Sequence, residues 1–137
     1  MEAVKAEAAG KNISATVNIF HSRFIKKDRA KLEEEIIKFG KTYDKNGNLD
    51  KQSGIWIATS IVEASLDIDF DYLFTELLDL NSLFQRFGRC NRKGAKNVTM
   101  YNCYVYTQLD EGDFILGNKG FIDKTIFELS NKATRVD

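Results

Sequence analysis

The sequence predicts an α/β fold with a mainly parallel sheet flanked by helices, and three observations carry that prediction. Segments of strand character alternate with segments of helical periodicity along the chain. Ile55-Trp56-Ile57-Ala58 is apolar on both faces, as a central strand of a parallel sheet tends to be. Phe70 to Leu77 is a second run of the same kind.

Taken in order, residues 2–9 read as a short helix closed by Gly10, and Ile13, Ala15, Val17 and Ile19 alternate as a strand ending at Phe20. Asp28 is placed to cap a helix whose apolar stripe is Leu32, Ile36 and Phe39 and whose stop is Gly40. Residues 41–48 hold turn formers and few apolar anchors, which predicts an exposed, mobile loop. After the two buried runs, a helix around Asn81 to Phe87 carries the start of an arginine cluster. Val98 to Tyr106 reads as a long strand rich in aromatic and β-branched residues, and Phe121, Ile122, Ile126 and Leu129 as the stripe of a last helix. Neither an internal repeat nor a low-complexity tract breaks this order.

Length and composition bound the function. At 137 residues, 43 % hydrophobic and 29 % charged, the chain reads as a single soluble domain with one core. Charges interrupt every apolar stretch within a few residues and the amino terminus lacks a signal-peptide core, so no membrane role and a cytoplasmic location are expected. Cys90 and Cys103 form no CxxC pair and His21 is the one histidine, which leaves no zinc set and predicts reduced thiols, buried or incidental. The sequons at Asn12 and Asn97 carry no weight in a chain without a secretion signal.

A net charge of zero conceals segregation. Residues 52–85 contain no Lys or Arg but include Glu63, Asp67, Asp69, Asp71, Glu76 and Asp79; residues 80–109 contain no Asp or Glu but include Arg86, Arg89, Arg92, Lys93 and Lys96. Two readings stand side by side: arginines held by carboxylates until a phosphate arrives, or an intramolecular salt-bridge network.

The basic block opens with Gln85-Arg86-Phe87-Gly88-Arg89-Cys90-Asn91-Arg92. On a continuous helix, Arg86, Arg89 and Arg92 fall on roughly one side, and a planar, permanently charged guanidinium grips phosphate oxygens in pairs. The plain alternative is a solvated basic face. Gly40-Lys41-Thr42 imitates the end of a phosphate loop, but the earlier glycine is replaced by Glu35 and the tripeptide follows a helix, so it reads as a helix stop. Phosphate-grasping arginines without a nucleotide cradle are half of a site, and an arginine supplied across an interface can be worth roughly 10³ to 10⁵ in phosphoryl-transfer rate.

The segment Thr59 to Asp71 follows a buried strand, and ligands of open α/β sheets sit beyond the carboxyl ends of strands. The arginines are expected at that same carboxyl edge, facing a cleft. The Thr59 hydroxyl is placed to hold a nucleic-acid phosphate, or with Ser60 to serve as an ordinary helix cap. Asp67 is placed to accept from a ribose hydroxyl or to orient an arginine; Asp69 and Asp71 read as solvated strand edge.

Thr59 to Asp71, then Phe74-Thr75-Glu76-Leu77, then Gln85 to Arg92 resembles motifs V (59–71) and VI (85–92) of superfamily 2 helicases, in the form carried by the CRISPR-associated helicase-nuclease of type I systems. Phe20-His21-Ser22-Arg23-Phe24 and Asp28-Arg29 resemble the motif IV region, 19–29, of the same family. The likeness covers residues 13–106 and implies a second RecA-like lobe, a mainly parallel sheet flanked by helices, here lacking its usual first strand. It implies an ATP-dependent motor moving 3′ to 5′ on single-stranded DNA beside a nuclease domain, in concert with a CRISPR surveillance complex in a prokaryotic cytoplasm.

Carried over by position, Arg89 and Arg92 are the implied fingers toward ATP on a first lobe. Gln85 and Arg86 connect that contact to the motif, Asp67 lies near the ribose, and Thr59, Ser22 and Arg23 lie toward the nucleic-acid backbone. ATP and Mg²⁺ are expected on the first lobe, with no metal site in this chain. Read alone, the 137 residues are expected to be inactive, a fragment or split subunit. Ser60 stands where the family often has Gln. A non-catalytic nucleic-acid or protein adaptor, or the matching lobe of another superfamily 2 motor, is the alternative.

Overall fold

The computed structural model describes residues 3, 6, 7, 10, 15–21, 23–50, 52–60, 66–98, 100–108 and 123–134. They form two compact units, Met1–Asp69 and Phe70–Asp137, each built around one parallel strand pair with a crossover helix.

The first unit runs β1 (Thr16–Phe20), α1 (Lys26–Phe39), β2 (Gly54–Ala58). β1 and β2 pair in parallel, from Thr16 opposite Gly54 to Phe20 opposite Ala58. Parallel neighbours need a long connection, and α1 supplies it. Ile36 is buried, with Leu32, Ile37 and Phe39 half-buried beside it, while pairs such as Arg29–Glu33 at 2.8 Å line the wet side. The helix begins earlier than predicted: Ile25 is its N-cap and makes no side-chain cap, and Asp28 lies in the first turn, where its charge favours the positive end of the helix dipole. Gly40 closes it as expected, its N–H reaching the Ile36 oxygen at 2.8 Å. A side chain at Gly40 would put a Cβ 3.0 Å from the Ile68 Cβ, so a close approach explains the glycine.

Residues 41–50 are more ordered than predicted. The Asp44 carboxylate accepts from the N–H groups of Asn46 and Asn48 at 2.8 and 2.9 Å, and Tyr43 bridges Leu49 in antiparallel sense. Those bonds, led by the one from Asn48, hold the Asp44 carboxyl below its ordinary pKa. Thr42 is buried and donates to the Asp69 carboxylate at 2.6 Å. Asp69 is therefore no solvated edge: it is 4 % exposed, because its carboxylate satisfies a buried hydroxyl and its N–H reaches the Gly40 oxygen at 2.6 Å. β2 is less buried than its composition predicts, with Ile55 and Ala58 exposed.

The second unit runs β3 (Leu73–Glu76), α2 (Leu80–Phe87), β4 (Cys103–Tyr106), α3 (Lys124–Thr134). β3 and β4 are again parallel, Leu73 opposite Cys103 and Glu76 opposite Tyr106. Leu77, Leu83 and Phe127 form the core, with Leu80, Phe87 and Val105 packed against it. Asp79 caps α2, accepting the Ser82 N–H at 2.9 Å, which holds its carboxyl below the ordinary value. On the opposite face of the pair Phe74 and Tyr104 stack at 4.9 Å.

Two predicted elements change. The last strand starts at Cys103, not Val98. α3 buries Phe127 and Ser130 while Ile126 and Leu129 are exposed, a rotation of the stripe by one residue. Phe121, Ile122 and most of the helix expected over 2–9 lie outside the described residues; Ala3, Ala6, Glu7 and Gly10 are helical. No helix among the described residues is long and apolar enough to cross a membrane. Among them Cys90 and Cys103 form no disulfide, as expected.

Candidate functional site

The arginine motif is not a helical stripe. α2 ends at Phe87 with Gly88 as its C-cap, and the turns that follow carry the Arg89 and Cys90 N–H groups back to the Arg86 and Phe87 oxygens at 2.9 and 3.0 Å. Asn91 then adopts φ 43°, and the chain leaves the helical path before Arg92. Three arginines drawn from one sequence rhythm consequently occupy three depths: Arg86 is buried at 8 % exposure, Arg89 half-buried and Arg92 exposed.

Arg86 is bound to the sheet. Its Nη1 donates to the Thr75 hydroxyl and, at 2.9 Å, to the Glu76 main-chain oxygen. Gln85, one residue earlier, is exposed on the outer side of α2. Leu83 and Arg86 share the inward side because they are three residues apart on a helix.

The arginine turn is fastened to the segment that leads into β3. The Phe70 N–H donates to the Arg89 oxygen and the Asn91 N–H to the Phe70 oxygen, both at 2.8 Å, so Phe70 bridges Cys90 in parallel sense. The Cys90 thiol donates to the Asp71 oxygen at 3.4 Å, and the Asn102 amide donates to that same oxygen at 3.1 Å. Lys96, with a side chain 10 % exposed, pairs with the Asp71 carboxylate at 3.0 Å. The acidic and basic blocks thus meet in an ion pair at Asp71 and Lys96, while the bonds of Arg86 named above go to a hydroxyl and a carbonyl.

This fastening corrects the expected position. An eight-residue helix rises about 12 Å and a four-residue strand about 13 Å, so α2 returns the chain to the start of β3. The turn bearing Arg89 and Arg92 therefore lies at the amino-terminal end of the β3–β4 pair, not at its carboxyl edge.

In the first unit the carboxyl ends of β1 and β2 lie side by side, and the Thr59 N–H donates to the Phe20 oxygen at 3.2 Å. Thr59 and Ser60 are exposed there. Beyond Phe20, His21 stacks on Phe24 at 4.3 Å and its Nδ1 accepts the Arg23 N–H at 3.1 Å, a tight turn that leaves Arg23 exposed. Thr59 and Arg23 thus share one strand end; Ser22 lies outside the described residues. Asp67 is exposed between buried Leu66 and Ile68, so its carboxylate is presented at the surface. Among the described residues no group of His, Cys, Asp and Glu is arranged to hold a metal ion.

Sequence reasoning gave no role to Thr75, Asn91 or Asn102, whereas the Lys96–Asp71 pair is of the kind that the salt-bridge reading of the two charge blocks expects. The run Asn91-Arg92-Lys93-Gly94 carried a signal, since Asn and Gly together mark left-handed turns; Gly94 sits at φ 63°.

Short parallel strand pairs flanked by helices, with a basic turn at one rim and an exposed hydroxyl turn at another, define a partial RecA-like α/β lobe. The comparisons are specific about its kind: residues 1–95 match the family described as CRISPR-associated nuclease/helicase Cas3, C-terminal, and the chain belongs to that family. It is 40 % identical over 85 residues to the CRISPR-associated endonuclease/helicase Cas3 of Escherichia coli K12, covering 62 % of this chain and 9 % of that protein. With the putative CRISPR-associated nuclease/helicase Cas3 of Methanocaldococcus jannaschii it shares 37 % identity over 111 residues, covering 79 % of this chain and 14 % of the relative. Among solved structures, T. fusca Cas3 in its ATP form superposes with a TM-score of 0.61 at 27 % identity, over 76 % of this chain and 12 % of that one. The chain thus spans about a tenth of the length of its relatives.

Proposed function

We propose that this chain is the second motor lobe of an ATP-dependent helicase that moves along single-stranded DNA in CRISPR interference. The observation that carries the reading is the division of labour within one motif. Arg86 is locked into the sheet by Thr75 and Glu76, whereas Arg92 stands exposed and Arg89 half-exposed on a turn fastened to the same sheet. A buried anchor beside one half-buried and one exposed arginine is how a fold offers fixed positive charge to a ligand held by another body.

In this reading Arg89 and Arg92 grip phosphate oxygens of ATP carried, with Mg²⁺, on a first lobe. The donor chemistry fits, because guanidiniums pair with phosphate oxygens in forks. ATP supplies the phosphoanhydride whose cleavage drives the motor. The two arginines meet the charge that builds on the transferred group, and Gln85 together with Arg86 ties that contact to α2. Asp67 faces the ribose. Thr59 and Arg23 hold the DNA backbone at the ends of β1 and β2, and Ser22 is given the same role by its place in the motif. Contact with the nucleotide-bearing lobe falls at the amino-terminal rim of β3 and β4, where the arginine turn lies. A nuclease domain and the surveillance complex complete the partners, and the 137 residues alone turn over no ATP.

The test compares ATP hydrolysis by this chain alone and joined to a phosphate-loop lobe, with single-stranded DNA present. Turnover is expected only in the joined form. Hydrolysis by the chain alone, lost on Arg89→Ala, would overturn the reading.

A further inference from the structure

Asn91 is the one non-glycine residue with positive φ among the described residues, at 43°. It sits immediately before Arg92, and three hydrogen bonds converge on it. Its N–H donates to the Phe70 oxygen at 2.8 Å, its carbonyl accepts the Gly94 N–H at 2.9 Å, and its side-chain Oδ1 accepts the Lys96 N–H at 3.1 Å. The first bond ties the residue to the lead-in of β3, and the other two close the loop 91–96 on itself. Lys96, drawn in by that closure, pairs with Asp71, which immediately follows Phe70. The left-handed torsion at Asn91 turns the chain just after that bond, so Arg92 and the loop behind it take their direction from this residue.

From this geometry we infer that Asn91 is the positioning residue for Arg92: its left-handed turn, pinned on three sides, fixes where that guanidinium leaves the surface. The inference rests on the motor reading above and adds a residue that no charge or phosphate chemistry would single out. Asparagine suits the place because it tolerates positive φ, glycine does so at no steric cost, and a β-branched residue does so poorly.

The test is steady-state ATP hydrolysis by this chain joined to a phosphate-loop lobe, for Asn91→Gly, Asn91→Ala, Asn91→Val and Arg92→Ala. With the turn preserved, Asn91→Gly should keep kcat within about threefold, while Asn91→Val should lose about tenfold or more, in step with the strain of a left-handed turn. KM for ATP should stay within about twofold throughout, since the arginine's grip on phosphate strengthens mainly as charge builds in the transition state. A general loss of structure would lower the melting temperature and raise KM together. Should Asn91→Val fail to fold, the ordering of Asn91→Gly above Asn91→Ala decides. Wild-type kcat in Asn91→Val or Asn91→Ala, with Arg92→Ala inactive, would sink the positioning role and leave the motor reading standing. Full activity in Arg92→Ala as well as Arg89→Ala would remove both.

Discussion

The Nη1 of Arg86 lies 2.9 Å from the main-chain oxygen of Glu76, so a guanidinium on the helix closes the end of the strand that precedes it. The same nitrogen donates to the Thr75 hydroxyl. The bond matters because Glu76 is the last residue of β3, and Asp79, three residues on, caps α2. Strand, turn and helix are thereby fixed as one piece, and the arginine turn grows from it.

Arg86→Ala should therefore act on stability. Removing a buried charged donor strips the Thr75 hydroxyl and the Glu76 carbonyl of a partner, a loss of about 2–4 kcal/mol. Arg86→Lys should recover only part of it, because a compact, strongly hydrated ammonium is costlier to bury than a guanidinium. Urea denaturation measures the difference; a change below about 0.5 kcal/mol would place Arg86 among ordinary surface residues.

Gly54, the first residue of β2, should resist enlargement. A Cβ there would lie 2.6 Å from the Thr16 hydroxyl and 2.9 Å from the Phe39 Cζ. Those groups belong to β1 and α1, so relief moves either the parallel pairing or the crossover helix. Gly54→Ala should cost about 1–3 kcal/mol by overpacking, read as a lower melting temperature. An unchanged melt would show that Phe39 yields freely.

Asp79 gives the chain a measurable dependence on pH. The Ser82 N–H, first among several bonds, lowers its folded pKa, so its contribution is complete above the ordinary carboxylate range and fades as pH falls through the lowered folded value. Asp79→Ala should cost about 1 kcal/mol at pH 7, as loss of an N-cap does. The gap between wild type and variant should close in acid below about pH 4. Chemical denaturation at both pH values checks it, and a gap that persisted or widened in acid would contradict the cap.

Much of the fold was legible because its signals are local. β1 ends at Phe20, α1 stops against Gly40, and α2 covers the expected residues between the Asp79 cap and Gly88. What was misread depended on tertiary choices. In α3 two faces one residue apart both offered apolar spacing, and the core selected Phe127. Asp69 looked like any acidic edge residue until Thr42, far away in sequence, supplied its hydroxyl. The arginine cluster was found from spacing, but its geometry was assigned to a continuous helix despite Gly88 and the Asn91 to Gly94 turn. The carboxyl-edge rule for open α/β sheets put the arginines at the end of β3 and β4 opposite to the one where the Phe70 bonds fasten their turn. Thr59 and Arg23, far apart in sequence, share one strand end because β1 and β2 pair in parallel. Their roles, like those of Gln85 and Asp67, rest on the proposed function.

The most direct test of the account is the turnover number for ATP of this chain joined to a phosphate-loop lobe, measured with single-stranded DNA for wild type, Arg89→Ala and Arg92→Ala. Each substitution should cut kcat by about 10³ or more while DNA affinity and melting temperature stay near wild type. Wild-type turnover in both variants would contradict the claim that this lobe supplies charge to a nucleotide held elsewhere.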